Sequence, residues 1–457
     1  MLVALRVENF KSIRRAKVRF GELTCVVGHN GVGKSNLFDA IHFLSLLAEK
    51  DVYAATIEVR RTGDGSYAAL DLVHGRDPEK IIQLSADMIA SPDVVDDFGQ
   101  ESKPSTTLLT YTVALRYDSM SDRLLVSRES LTHAKLGDFR SFTEFPCSTA
   151  FKNSVAIGSR RGGPLISTDD ARGAIVLHGD GGSRGRPAPA GTSPLTVVGG
   201  TNTVDYPTVL AAKREMASWR LLHLEPSAMR SPDSRGAEPH VSASGGRLAA
   251  TLNALVGKDS NVALEIVNRL NELNSHVRQL EVFQDAARDQ LVLRARVPGF
   301  ENWMFGRSLS DGTLRYIALA LMLADASERG ALCLEEPENG IHPSRIPNLV
   351  ALLQDYAVDL EEAVADDNPL RQVILNSHSP EVARQISPND LLFAEHLRGP
   401  GGDTQSIFRP LRGTWRANAD PDEVLLAKDP HSVADFIGGS PLRAEFQQME
   451  MHFGTAQ

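Results

Sequence analysis

The 457-residue sequence predicts an α/β fold: a mixed sheet core with an added antiparallel β-subdomain and an inserted helical lobe. Three observations carry that prediction. The apolar run 23–27 feeds directly into the octapeptide Gly-His-Asn-Gly-Val-Gly-Lys-Ser at residues 28–35, which reads as a strand, a loop and a helix start. Four alternating stretches, 67–73, 80–88, 107–117 and 123–132, read as strands of an antiparallel sheet. Helical periodicity returns at 207–219, 246–255 and 261–280, and strand-like runs resume at 290–297, 331–334 and 372–375.

In chain order, alternation at 2–7 and 17–20 adds two short strands ahead of the 23–27 run, so the chain opens as three strands, a loop and a helix. In the loop, Gly28, Gly31 and Gly33 permit the positive φ and close backbone approach that turn N–H groups inward around a triphosphate. Lys34 then reaches the β and γ phosphates. Ser35 places its hydroxyl on Mg²⁺, and the N-terminus of a helix over 34–47 adds partial positive charge. Asn30 and Asn36 complete the predicted ATP-binding set of this segment. The plainer reading, a glycine-rich turn without a ligand, leaves the strand and helix flanks unaccounted for.

The antiparallel stretches are expected to cover the base and ribose side of the nucleotide, closing an N-terminal half at 1–134. From 135 to 205 the pattern decays into Gly, Ser, Arg and Pro, most densely at 179–193, and predicts a flexible insertion. Its arginines, Arg160, Arg161, Arg172, Arg184 and Arg186, suit a phosphate backbone or, more plainly, a solvated linker. A helical lobe is predicted over 206–290, with Val262, Ile266, Val267, Leu270 and Leu273 on one face, and no heptad array long enough for a coiled-coil arm occurs.

A phosphate loop needs an acidic strand end for its Mg²⁺ shell, and 331–334 followed by Glu335-Glu336-Pro337-Glu338 supplies one. Glu335 is the metal residue, through water, and Glu336 the base that accepts a proton from the attacking water. Ahead of that strand, Ser310 and Gly312 open a helix over 313–324 and make a second anion nest. One nucleotide cannot use both nests of one chain, which points to a head-to-tail dimer; an ordinary capped helix is the alternative. His378, in Asn376-Ser377-His378-Ser379-Pro380 after the 372–375 strand, stands where ligands bind in open α/β sheets, as a γ-phosphate switch or as a structural histidine.

Composition sets limits around this site. A hydrophobic content of 42% with 23% charged residues suits a folded chain with a sizeable core. No apolar run approaches the ~20 residues of a membrane span, and Arg6 and Glu8 follow the start too closely for a signal peptide, so a cytoplasmic protein is expected. Cys25, Cys147 and Cys333 are far apart and read as reduced thiols. A net charge of −10 argues against coating nucleic acid over the whole surface and leaves room for a local basic groove.

The order of these motifs, including Leu309-Ser310-Asp311-Gly312, Leu-Glu-Glu-Pro-Glu-Asn and Asn-Ser-His-Ser-Pro, resembles ABC-type P-loop ATPases of the RecF/SMC branch. More narrowly it is similar to the OLD-like ATPases of prokaryotic genome-maintenance and anti-phage systems. The likeness covers roughly 1–130 and 205–397, halves of one ATPase head being expected at 1–134 and 291–397. It implies Lys34 and Ser35 for phosphate and Mg²⁺, Glu335 for the metal, Glu336 for water activation, Ser310 and Gly312 acting in trans, and His378 as switch. It also implies that Phe10, Lys11 and Ser12 lie near the nucleotide, and makes Gln83 the candidate for the glutamine that joins the metal shell. Glu335 stands where most such ATPases carry Asp, and Asp311 and Thr313 depart from the transporter signature. The segment 398–457 lacks the acidic motifs of a nuclease domain and is read as a partner interface. The function expected is ATP hydrolysis coupled to dimerisation and to a nucleic acid, DNA or RNA, or an effector protein, away from membranes. A slow-turnover sensor that holds an effector, a transporter subunit and a small-molecule kinase are the alternatives, in that order.

Overall fold

The computed structural model describes residues 1–59, 69–158, 162–272, 277–325, 327–398, 404–417 and 427–428. Strands β1 (Leu2–Phe10), β2 (Ile13–Arg19) and β3 (Leu23–Val27) lead into helices α1 (Lys34–Glu49) and α2 (Val52–Val59). Asn9 and Lys11 take positive φ where β1 turns back into β2. Next come β4 (Ile81–Ile89), the short pair β5 (Val94–Val95) and β6 (Glu101–Ser102), β7 (Leu108–Asp118) and β8 (Arg123–His133). Helices α3 (Phe139–Thr143) and α4 (Thr149–Val155) precede β9 (Ile166–Asp169), β10 (Ala174–His178) and β11 (Arg184–Pro189). Then follow α5 (Pro207–Ala217), β12 (Arg220–Leu222), α6 (Pro226–Arg230), β13 (Asp233–Ser234), α7 (Leu248–Lys258) and α8 (Val262–Glu272). The hairpin β14 (Gln279–Asp285) and β15 (Gln290–Arg296) is joined by β16 (Met304–Phe305). The chain continues through α9 (Asp311–Ala324), β17 (Gly330–Glu335), α10 (Ile346–Tyr356), β18 (Arg371–Ser377), α11 (Pro380–Gln385), β19 (Leu391–Arg398) and β20 (Thr404–Pro410).

The central sheet runs β12-β17-β18-β3-β19-β20, its first five strands parallel and β20 antiparallel at the edge. Strands β3 and β18 are buried at every residue because helices and a second sheet cover both faces, which is why β3 and the Val373–Leu375 centre of β18 lack the polar alternation of a half-exposed strand. Alternation sends Val26, Cys333 and Ile374 to one face, with α1, α5 and the antiparallel sheet. Cys25, Val27, Leu334 and Leu375 point to the other, with α7 to α10. The antiparallel sheet runs β11-β10-β9-β8-β7-β4-β1-β2.

Several expectations are corrected here. The strand expected at 67–73 is, where described, a single 3-10 turn at Ala69–Leu72. The helix expected over 261–280 ends at Glu272, and residues 279–285 pair instead with β15, where Leu280, Val282 and Phe283 suit a pleated strand. The lobe expected at 206–290 is therefore only α6, α7 and α8 on the small β13–β16 sheet, since α5 packs on α1 and β12 enters the central sheet. The insertion expected to be flexible at 135–205 contributes β9, β10 and β11 to the antiparallel sheet and buries Leu165, Ile166, Ile175, Val176 and Val198. Its few apolar residues cannot order it alone, but they suffice when β8 offers an edge to pair with. Arg160 and Arg161 lie outside the described residues, as do the side chains of Arg184 and Arg186, while Arg172 sits 3.6 Å from Asp169. Of the 398–457 extension, β20 closes the central sheet and Arg416 is buried; the remainder lies almost entirely outside the described residues.

Glu129 of β8 ties the returning segment to this sheet. Its carboxylate accepts from the backbone N–H groups of Val197 and Val198 at 2.7 and 2.9 Å and from the Tyr111 hydroxyl at 3.1 Å. Burial pushes its carboxyl up to about 7 despite those bonds. Between pH 4.5 and 7 the folded protein thus holds a proton that the unfolded chain has released, so this group's contribution falls as pH rises through that window, by about 3 kcal/mol in all. Urea unfolding of wild type and Glu129→Gln at pH 5 and pH 8 tests it: wild type should lose more stability over the interval than the variant, and equal losses would remove Glu129 from the account.

Candidate nucleotide site

Three parallel strands end at one cavity. The phosphate loop leaves β3, the acidic pair leaves β17 and the Asn376–His378 turn leaves β18, neighbours in the order β17-β18-β3. The cavity, about 530 Å³, is lined by Asn30, Gly31, Gly33, Lys34, Ser35, Asn36, His223, Glu335, Glu336, Asn339 and Asn376. A larger one, about 840 Å³, lies at the opposite ends of the strands among Glu22, Asp355, Asp359, Glu362, Asp367 and Asp390, where the charge repels a triphosphate.

The loop geometry explains two of its glycines. At Gly33, φ is 94°, and an added Cβ would fall 2.0 Å from Ser406 Oγ of β20 and 2.7 Å from Ser12 Oγ. At Gly28 a Cβ would meet the Ala394 carbonyl oxygen at 2.5 Å. Lys34 Nζ donates to the carbonyls of Gly28 and His29 at 2.8 and 2.9 Å, so the ammonium is held over the loop it would leave for phosphate. Burial lowers its pKa, opposed by the charges of Glu336, Glu338 and Glu335. Asn36 Nδ2 donates to Ser12 Oγ, and the Ser12 and Ser406 hydroxyls are 2.6 Å apart, which locks the loop to β20.

Opposite the loop, Glu335 receives Asn376 Nδ2 at 3.2 Å and lies 3.1 Å from His223 Nδ1. Glu336 has a φ of 44°, a left-handed conformation unusual for a non-glycine residue. Its backbone N–H donates to the Asn376 carbonyl and side-chain oxygens at 3.2 and 3.1 Å, fixing the turn. Asn339 Nδ2 donates to its Oε2 at 2.8 Å and His378 Nδ1 to its Oε1 at 2.9 Å. Burial would raise the Glu336 carboxyl, but these two bonds and the charges of His378 and Lys34 outweigh it and hold it below the usual glutamate range. It is ionised near neutral pH, as an acceptor of a proton must be. The buried Glu338 accepts from Ser377 Oγ, which in turn accepts from the Ser379 N–H at 2.9 Å, so a hydrogen-bonded chain braces the turn that carries His378.

Ser35 and Glu335 present hard oxygen donors to one cavity, the set a small divalent cation such as Mg²⁺ takes, with water completing its shell. Ser310 and Gly312 do not line this cavity. Ser310 is exposed and caps α9, accepting from the Thr313 N–H at 3.2 Å. Gly312 lies against the Gly340 carbonyl just beyond the acidic pair, and Arg230 pins the segment by donating to the Leu309 carbonyl at 3.1 Å and pairing with Asp311. Two expected residues are placed elsewhere. The Lys11 ammonium pairs with Asp39 of α1, and Gln83 is exposed on β4, in register with Glu8 and Ala114; neither lines the cavity. His223, Asn339 and Asn376 line it without having been singled out. His223 follows β12, a three-residue strand too short to announce itself, although the run Arg-Leu-Leu-His was its one signal.

A phosphate loop on an inner parallel strand, an acidic strand end beside it and an exposed capped helix opening together define an ABC-type P-loop ATPase head. A family profile described as "AAA ATPase domain" matches residues 1–106, and one described as "AAA domain, putative AbiEii toxin, Type IV TA system" matches residues 214–384. The DNA replication and repair protein RecF of Porphyromonas gingivalis is 57% identical over 42 residues, 9% of this chain and 12% of that protein. Structural maintenance of chromosomes protein 1B of Mus musculus is 33% identical over 102 residues, 22% of this chain and 7% of that protein. The chain thus spans about an eighth or less of the length of these relatives. Among solved structures, an SmcHead bound to the C-winged helix domain of ScpA aligns with a TM-score of 0.44 and 11% identity, covering 90% of this chain and 98% of that one. Over these segments the chain resembles the RecF/SMC branch of ABC-type ATPases. No described helix is long and apolar enough to cross a membrane.

Proposed function

We propose that this chain hydrolyses ATP with Mg²⁺ at an interface between two copies of itself, and that closing and opening of that dimer regulates a nucleic-acid transaction or an effector protein, in DNA repair or anti-phage defence. The observation that supports this most directly is the separation of Ser310 and Gly312 from the Lys34 cavity of the same chain. Both features are built to meet phosphate, the helix opening is exposed, and a second copy supplies the missing half of each site. ATP touching both copies favours the closed dimer, and its cleavage releases it.

In the reaction, Lys34 leaves the Gly28 and His29 carbonyls for the phosphates, and the loop N–H groups orient the triphosphate. A water attacks the γ phosphorus and gives its proton to Glu336; the bond to the β,γ-bridging oxygen breaks and ADP leaves with the electron pair. Ser35 and Glu335 would hold Mg²⁺, which would supply positive charge against the phosphates. Asn339 and His378 hold the Glu336 carboxylate, so that loss of the γ phosphate is felt at the Asn376–His378 turn. The slow-turnover sensor is the second reading, favoured by the Glu335 carboxylate being engaged by His223 and Asn376 at the position where a shorter Asp is usual.

Mixing two disabled variants tests the shared site. Lys34→Ala and Ser310→Arg should each lose hydrolysis alone, and an equimolar mixture should regain it, because the hybrid dimer assembles one complete site. Undiminished turnover by Ser310→Arg alone, or no recovery on mixing, would reject the shared site.

A further inference from the structure

The small sheet of β14, β15 and β16 has one buried face and one open face. Leu291, Leu293 and Ala295 of β15, with Leu280 of β14, are buried under α7 and α8. Strand alternation therefore turns Arg294 and Arg296 outward, and the register places Glu281 and Phe305 on either side of Arg294 and Phe283 beside Val292. The Arg294 guanidinium lies 5.1 Å from the Phe283 ring centre and 4.7 Å from that of Trp303. Arg296 lies 4.9 Å from the same Trp303 ring, and Arg307 lies 5.6 Å from Phe305, which meets Phe283 edge to face at 6.1 Å. Arg294 is paired with Glu281, whereas Arg296 and Arg307 have no carboxylate partner among the described residues. Both are exposed, and Phe283 is 38% exposed.

We propose that this outer sheet face is a platform for single-stranded nucleic acid, on which bases stack against the aromatic and guanidinium planes while Arg296 and Arg307 take phosphates. Charge decides between this occupant and a protein. Arg296 and Arg307 stand exposed without carboxylate partners among the described residues, in a chain whose net charge is −10, which favours a polyanion here, and the part-exposed rings beside them favour one whose bases are free to stack. Alternate residues along a strand stand about 6.6 Å apart, so Arg294 and Arg296 of β15 are spaced on the scale of a nucleotide chain, with the rings of Phe283 and Phe305 on the strands to either side. Duplex DNA, with its bases inside, can use only the charges, and so binds this face less well. The proposal rests on the nucleic-acid arm of the function proposed above and not on ATP turnover.

The experiment measures fluorescence anisotropy of labelled oligo-dT, oligo-U and a duplex of equal length with the full chain, without nucleotide and over a salt series. Phosphate release is read separately on the same samples, so loss of the platform and loss of the ATPase are distinguishable. A single strand should bind more tightly than the duplex, and preference between oligo-dT and oligo-U identifies DNA or RNA as the natural polymer. Trp303→Ala should weaken binding roughly ten-fold or more, and Arg296→Gln should reduce the salt slope by about 1. Arg296→Gln, at an exposed position, keeps the test sound if Trp303→Ala unfolds. No binding of either single strand, tighter binding of the duplex, or unchanged affinity and salt slope in Arg296→Gln would overturn the proposal.

Discussion

Glu336→Gln should reduce ATP hydrolysis by roughly 10²–10⁴-fold while leaving ATP binding within a few-fold of wild type, and the variant should accumulate as an ATP-bound dimer. The amide has the size of the carboxylate and its oxygen still accepts from Asn339, so the turn fixed by Asn376 need not move. What it cannot do is accept the proton of the attacking water. Because the Asn339 and His378 bonds and the Lys34 charge hold the Glu336 carboxyl below its usual range against the effect of burial, the wild-type rate should show no acid limb from this group until pH falls below the ordinary glutamate value. Phosphate release and light scattering on the same sample decide the matter. A loss of less than ten-fold would place the base elsewhere.

Arg416→Ala should destabilise the fold by about 3–5 kcal/mol, the range for stranding a buried charge by removing its partner. The guanidinium is fully buried and donates to the Asn389 carbonyl at 2.7 Å, the Leu23 carbonyl at 3.1 Å and Thr24 Oγ1 at 3.0 Å, with Asp390 at 3.7 Å. Burial lowers the Arg416 pKa to about 10 and raises that of Asp390 to about 6, the two charges partly restoring each other. Leu23 and Thr24 begin the strand that ends in the phosphate loop, and Asn389 and Asp390 precede its neighbour β19. The lesion should therefore lower the affinity for ATP as well as the denaturation midpoint. Arg416→Lys keeps the charge without the planar fork and should fall between the two. A change in stability below 1 kcal/mol for Arg416→Ala would mean that the arginine is an ornament of the C-terminal segment.

What the sequence disclosed were features whose physics is local. The 28–35 loop, the acidic strand end and the Ser310 cap each need particular residues at fixed spacing, and each lies where that spacing predicts. Partners brought in from distant strands stayed hidden. His223 and Asn376 meet Glu335 only because β12 and β18 flank β17, and nothing around them in sequence states that adjacency. Lys11 and Gln83, which only the resemblance had put at the nucleotide, do not line the cavity: the lysine pairs with Asp39 and the glutamine is exposed on β4. The 135–205 segment was judged on its own composition, while β9, β10 and β11 take their order from an edge already present.

The place of β3 between β18 and β19 also bears on how the protein is made. The strands on both sides of β3, and Ser406 against which Gly33 closes, are synthesised more than 340 residues after the strand and loop they flank. Parallel pairing at such separation is slow to form, and until it does the Leu23–Val27 strand is an apolar ribbon with both edges bare. Until its distant neighbours are made, the strand that leads into the phosphate loop is therefore an aggregation hazard, and the loop lacks the walls that would shape it for a ligand.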